Sequence, residues 1–379
     1  MSQRFSSPPR LILGDGALEQ LASELASFGT KVLVVTDPGI VAAGILDRVL
    51  AVLKTGELEI ATFTDVVGNP DIATVNAANQ ARIDTGADIM VAIGGGSSMD
   101  VAKSVAILAT NGGAIADYEG VDKFSTPPLP VIAIPTTVGS GSEVTKGAVI
   151  TNPDTQVKMV IVSDLMFVKI ALLDRRVVAG LPGRIAATTG MDALTHAIEA
   201  YVAKGANPVT DAINIGAIEI IGANLVKASK GDDDALYNML VASSMAGIGF
   251  HDAGLGAVHA LANTIGAHFG VHHGTANALF LPYVMDFNIS SSPARFARIA
   301  RALGEDTTGL TDEQAAERAA SAVHRLAAET GVPRKLSEVG VPADAIDALA
   351  QDALVQADLP GNPREVTLED IQALYHKAL

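Results

Sequence analysis

Through its first half, the chain alternates short runs of β-branched residues with longer stretches whose apolar positions recur every three or four residues. KVLVVTD (31–37), LEIATF (58–63), ADIMVAIGGG (87–96) and PVIAIPTT (130–137) read as buried strands that end at turn residues. IVAAGILDRVLAVLKTG, PDIATVNAANQARIDTG and SMDVAKSVAILATNGG carry helical spacing and glycine stops. Strands alternating with amphipathic helices predict parallel βαβ units. Past Asp174 the strand-like runs thin out. GRIAATTGMDALTHAIEAYVA, PVTDAINIGAIEIIGANLVKAS, ALYNMLVASSMAGIGF and DEQAAERAASAVHRLAAETG predict long helices rich in small residues. The boundary falls near Val178, before LPGR, so an α/β domain over 1–178 and an all-α domain over 179–379 are expected. GDDD at 231–234 reads as a solvated turn.

Composition narrows the chemistry. A length of 379 residues suits two domains, because a domain usually takes roughly 100–200. The net charge is −16 and no lysine/arginine block occurs, which opposes nucleic-acid binding. Cysteine is absent, so any metal must be held by histidine and carboxylate. The opening MSQRFSSPPRLILGDG has no apolar run of signal-peptide length, and MVIVSDLMFVKIALLD is interrupted by Asp164 and Lys169. No uncharged apolar run approaches the roughly 18 residues needed to span a membrane. A soluble, cytoplasmic protein is expected.

Two loops suit a phosphate-bearing ligand. AIGGGSSMD (92–100) predicts a strand, a tight turn and a helix start. Glycine there lets the backbone approach a ligand, and the helix N-terminus offers free N–H groups. PTTVGSGSEVT (135–145) follows the next strand and is dense in hydroxyls. Ligands of parallel sheets sit beyond the carboxyl ends of the strands, so two such loops favour a nucleotide site. Asp37 ends the first clear strand; by spacing alone it reads as a helix-capping or turn aspartate.

Six of the eight histidines fall between 196 and 273. In TGMDALTHAIEAY, Asp192 and His196 are four apart and share a helix face. His259 lies on a later helix, and His273 begins another. One carboxylate and three imidazoles suit Fe²⁺ or Zn²⁺. His272 neighbours His273 and is expected to point elsewhere; His268 is expected on the opposite face from His259. His251, in GFHDAGLG, is a candidate cleft residue, and His324 and His376 read as solvated.

Taken together, these motifs resemble the iron-containing (group III) alcohol dehydrogenase family. The resemblance runs through VTDPGIVAAG, GGGSSMDVAKS, PTTVGSGSEVT, GMDALTHAIEAY, VHALAN…HHGTANALFLP and NPREVTLEDI, which cover nearly the whole chain. It implies a Rossmann-like N-terminal dinucleotide-binding domain with a parallel sheet, and an all-α C-terminal metal-binding domain. By motif position, Asp192, His196, His259 and His273 match the metal ligands. Gly95, Gly96 and Ser97 match the pyrophosphate loop. Asn69, Asp100, Thr136, Thr137, Thr145 and Lys158 match cofactor-lining positions. Asp37 matches the acidic position that favours NAD over NADP, reversing its reading by spacing. The implied function moves a hydride between a small alcohol or aldehyde and nicotinamide, with Fe²⁺ (or Zn²⁺) polarising the substrate oxygen. A homo-oligomer, a dimer, is a further implication.

One departure concerns catalysis. The family usually reads HAxAH, with a histidine four residues after the third ligand. Here HALAN places Asn263 there, a side chain that does not titrate near neutral pH. His272 and His251 are the candidates to compensate, so the catalytic candidates are His259, His273, Asn263, His272 and His251. Tyr283 in LPYV, and Val168 with Arg175, are smaller departures. The alternative reading is a dehydroquinate-synthase-like lyase using NAD and metal without net cofactor turnover; the scarcity of Lys and Arg around the histidines opposes it. A catalytically weakened binding protein is opposed by the full set of four ligands, and a metal-free, maleylacetate-reductase-like enzyme by the intact Asp192/His196 pair.

Overall fold

The computed structural model describes residues 5–6, 9–154 and 157–379, and of Val157 the backbone only. The expectation that the opening carries no leader falls partly on MSQR and on Ser7 and Pro8, outside the described residues. The chain divides into two compact units. One comprises Ser6–Thr137 and Gly141–Ala179; the other comprises Val138–Ser140 and Gly180–Leu379, together with Phe5.

The first unit carries the strands β1 (Arg10–Leu13), β2 (Lys31–Val35), β3 (Glu59–Phe63), β4 (Ile89–Gly94), β5 (Gly120–Val121), β6 (Val131–Pro135), β7 (Gly147–Asn152), β8 (Val157–Val162) and β9 (Ile170–Leu173). Its helices are α1 (Leu21–Leu25), α2 (Pro38–Ala42), α3 (Ile45–Leu53), α4 (Ile72–Thr85), α5 (Gly96–Asn111) and α6 (Arg175–Val178). Six strands form a parallel sheet in the order β1-β9-β6-β4-β2-β3. β4 is buried at every residue, which is why IMVAIG is an unbroken apolar run rather than an alternating one. The chain steps outward from β2 to β3, then returns to β4 on the other side of β2. The carboxyl ends of β2 and β4 therefore flank a topological switch point, the usual place for a ligand in such sheets.

Two features of this unit differ from the sequence reading. The stretch expected as one helix from Ile40 is two, α2 and α3, because Gly44 takes φ 70° between them. A second, three-stranded sheet, β5-β8-β7, was not expected, nor was β1. The segment MVIVSDLMFVKIALLD divides between β8 and β9, with Asp164 in the turn between them.

The second unit is helical among its described residues: α7 (Gly183–Val202), α8 (Pro208–Ala228), α9 (Asp233–Ala253), α10 (Ala257–Phe269), α11 (His273–Asn288), α12 (Pro293–Ala302), α13 (Asp312–Thr330), α14 (Ile346–Leu354) and α15 (Leu368–Lys377). α7, α8 and α9 pack on one another and α11 lies on α7. α7 is buried from Ala186 to Val202, so its polar residues are interior ones. α8 is long and apolar enough to cross a membrane by length and composition, which the sequence reading did not anticipate. It nevertheless carries Asp211, Glu219 and Lys227 and packs against α7 and α9. The GDDD segment is exposed as expected, but it is a helix start: Asp232 accepts a hydrogen bond from Ala235 N and caps α9.

Candidate active site

α7 presents Asp192 and His196 one turn apart on a buried face. His259 enters from α10, and His273 is the first residue of α11. One donor atom from each of these four lies within 4.8 Å of the others. α11 can come this close because residue 274 is glycine: a Cβ there would stand 2.6 Å from the Thr188 carbonyl oxygen. Asp192 Oδ1 lies 3.7 Å from His273 Nε2 and 3.9 Å from His196 Nε2. One carboxylate and three imidazoles converging within 4.8 Å are a donor set that fits a divalent ion.

Neighbouring groups aim the imidazoles. Glu199, one turn beyond His196 on α7, accepts from His259 Nδ1 at 2.6 Å and from Val258 N at 2.7 Å. Gly139 O accepts from His196 Nδ1 at 3.2 Å. With both Nδ1 atoms donating outward, the Nε2 lone pairs of His196 and His259 are the ones turned toward the other donors, the tautomer a metal requires. The His196 ring stacks between Phe250 (4.5 Å) and His259 (4.8 Å).

Protonation follows from these contacts. Burial pushes His196 down to about 4, against the pull of Asp192, so it is neutral at pH 7. Burial alone would also lower His259, but the Glu199 carboxylate outweighs it and raises the ring above its ordinary value. For Asp192, burial works upward and the three imidazoles with Asn277 outweigh it, holding the carboxyl below its usual range.

In the sheet-bearing unit, Gly95 is the N-cap of α5, and Gly96 and Ser97 open that helix. The turn is tight: a Cβ at Gly95 would meet the Thr137 side chain at 3.1–3.2 Å, and Thr136 N donates to Gly94 O at 3.0 Å. Two hydroxyls here, Ser98 Oγ and Thr136 Oγ1, are buried without a hydrogen-bond partner among the described residues. Asp37 Oδ1 accepts from Gly39 N and Ile40 N, capping α2, as the spacing alone suggested. Its Oδ2 faces Gly94 across the switch point, 3.2 Å from where a Cβ would lie. Both of its readings are thus compatible. Lys158 Nζ donates to Asn69 Oδ1 at 3.2 Å, and burial lowers the Lys158 pKa. Asp100 accepts from Ser142 Oγ and Val149 N, so its carboxylate ties α5 to β7. An N-terminus of a 16-residue helix, two orphaned hydroxyls and an acid at the neighbouring strand end form a cradle that fits a dinucleotide.

Comparison with known proteins places this geometry. Residues 8–175 match the family model described as iron-containing alcohol dehydrogenase, and residues 186–379 match that of the C-terminal domain of the same family. The chain is 39% identical over 378 residues to the NAD-dependent methanol dehydrogenase of Bacillus methanolicus, covering 99% of both. It is 40% identical over 368 residues to the lactaldehyde reductase of Escherichia coli K12, covering 96% of both. A crystal structure of 1,3-propanediol oxidoreductase superposes with TM-score 0.98 at 37% identity, over 100% of each chain. The chain belongs to the iron-containing alcohol dehydrogenase family.

For an iron-containing alcohol dehydrogenase, the remaining candidates distribute unevenly. Asn263 follows His259 by one turn on α10 and donates to Asp358 Oδ2 at 3.3 Å. His272 is exposed at the N-cap of α11, beside His273. His251 has a nearly buried side chain on α9, with Nδ1 against Gly247 O and Nε2 3.3 Å from Asp252. His268 is turned away and pairs with Asp352 at 2.7 Å. His324 is half-buried, with Nε2 3.8 Å from Asp286, rather than fully solvated. His376 is exposed. Tyr283 OH donates to Arg334 O.

Sequence reasoning missed Glu199, Asn277, Gly139 and, in the other unit, Lys103. Glu199 had a local signal, because it falls three residues after His196 on the same face of α7. Asn277 had one too, four residues after His273. Gly139 had none, because its role is a backbone carbonyl.

Proposed function

We propose that this chain is an NAD-linked, metal-dependent alcohol dehydrogenase that also works in reverse as an aldehyde reductase on small substrates. The observation that carries the reading is the convergence of one carboxylate and three imidazoles within 4.8 Å, a donor set suited to Fe²⁺ or Zn²⁺. When bound, the ion supplies Lewis acidity toward a substrate oxygen and the nicotinamide supplies or accepts the hydride. Asp192, His196, His259 and His273 hold the ion, while Glu199 and Gly139 keep His259 and His196 aimed at it. Gly95, Gly96 and Ser97 bind the pyrophosphate at the α5 N-terminus, and Thr136, Thr137, Thr145, Asp100, Asn69 and Lys158 line the cofactor.

Asp37, with one oxygen free of the α2 cap, accepts from a ribose hydroxyl and opposes a 2′-phosphate. Asn263 orients groups but does not titrate, so it cannot relay a proton; His251 and His272 are the candidates for that task. Substituting each by Ala and recording the pH–rate profile identifies which one titrates with turnover.

The proposal extends to a cytoplasmic homodimer with no nucleic-acid or membrane partner. The net charge of −16 supports the exclusion of polyanions. Val121, Val149 and Val160 share one face of the small sheet and are exposed, which supports self-association.

The test is an anaerobic assay of Fe²⁺-reconstituted protein, following NADH formation with short alcohols and diols, with metal-stripped protein as control. Metal-dependent NADH formation is expected. Substrate conversion without net NADH, with metal and NAD bound, would favour the lyase reading instead. The relatives named above, dehydrogenases and reductases, support the first outcome.

A further inference from the structure

Asn277 lies one turn after His273 on α11 and is fully buried. Its Nδ2 stands 2.6 Å from Asp192 Oδ1 and 3.1 Å from the Nε2 atoms of both His259 and His273. Its Oδ1 is buried with no hydrogen-bond partner among the described residues. A carboxamide has two N–H hydrogens, and three acceptors face it here. Asp192, at the shortest distance, takes one, and the two imidazole nitrogens share the other. Leaving a buried carbonyl unpaired is costly, so the amide is held in place from its nitrogen side. The acceptors it serves are the lone pairs a cation would use. An imidazole nitrogen bonded to a metal has no lone pair left for an N–H, so amide and cation exclude one another at His259 and His273.

We infer that Asn277 competes with the metal for two of its ligands. In metal-stripped protein, at a pH where both rings are neutral, its amide satisfies the converging lone pairs. When the ion binds, the amide gives up both imidazole nitrogens and keeps Asp192. This rests on the reading of Asp192, His196, His259 and His273 as a metal centre.

The experiment is Zn²⁺ binding to the metal-stripped full chain, by competition with a chromophoric chelator. It compares wild type, Asn277→Ala and Asn277→Ser, with melting curves of each with and without Zn²⁺. Removing the competitor should tighten Zn²⁺ binding about fivefold in the Ala variant, the worth of one net hydrogen bond. Its metal-stripped form should melt lower than wild type, and its Zn²⁺-loaded form should differ less. Serine keeps one donor and should fall between. If Asn277 only supports Asp192, the sign reverses: Zn²⁺ binding weakens about 10- to 100-fold in both variants. That outcome overturns the competition and leaves the metal centre standing. If Zn²⁺ binds wild type no better than an Asp192→Ala/His196→Ala variant, the metal centre and the inference fall together.

Discussion

Replacing Glu199 by Gln keeps its size and removes its charge. His259 Nδ1 then loses a charge-assisted acceptor, and its Nε2 becomes a poorer donor to a metal. Metal affinity should fall about 10- to 100-fold, read by competition titration, while the fold, read by circular dichroism, is retained. Asp174 offers a prediction in pH. It is buried and accepts from Leu18 N and from the Arg176 backbone and guanidinium. Burial works to raise its pKa, but these bonds outweigh it and hold the carboxyl below the ordinary value. A depressed carboxylate contributes stability that is complete above the unfolded pKa of about 3.9 and is lost as pH falls through the folded one. Asp174→Asn should therefore be less stable than wild type at neutral pH, and the gap should narrow below about pH 4 in urea titrations. At this scale the histidines and Asp192 were legible because polar residues on apolar helices stand out. Lys103 did not stand out, because a single lysine in a helix reads as a surface residue.

Lys103 matters at the scale of elements. It is fully buried on α5, and its Nζ reaches Ser142 O (2.6 Å), Ser142 Oγ (3.1 Å), Thr145 O (3.1 Å) and Gly147 O (2.9 Å). One ammonium thus fastens the loop between β6 and β7, which carries Thr145, to the helix whose N-terminus forms the glycine loop. Burial draws the Lys103 pKa down to about 8 against the opposing charges of Asp100 and Glu143, and burial pushes Asp100 up to about 6. Lys103→Met leaves the loop carbonyls and both acids without their cation. It should cost about 3–5 kcal/mol in denaturant unfolding. It should also raise KM for NAD more than it lowers kcat, because the cofactor-side loop is displaced and the metal ligands are not. Element types were largely legible, since helical and strand periods are local. β7 and β8 were not: what stabilises them is their pairing with each other, and of β8 with β5.

For the whole molecule, ligand binding and stability are linked. An ion present at about 100 times its Kd should stabilise the native state by about 2.7 kcal/mol, seen as a rise in melting temperature that a chelator reverses and Asp192→Asn abolishes. The chain's local patterns were enough to determine an α/β half followed by a helical half, the two glycine-rich loops and the residue types able to hold a metal, because each is written within a few turns or one strand. Which side chains meet was decided by tertiary structure. Asp192 and Asn277 are 85 residues apart, Glu199 and His259 60, and Lys103 and Ser142 39. Periodicity records which face of an element is buried. It does not record what that face is buried against, and the pairing of Asn277 with the metal donors and the caging of Lys103 exist only once the helices and loops have packed.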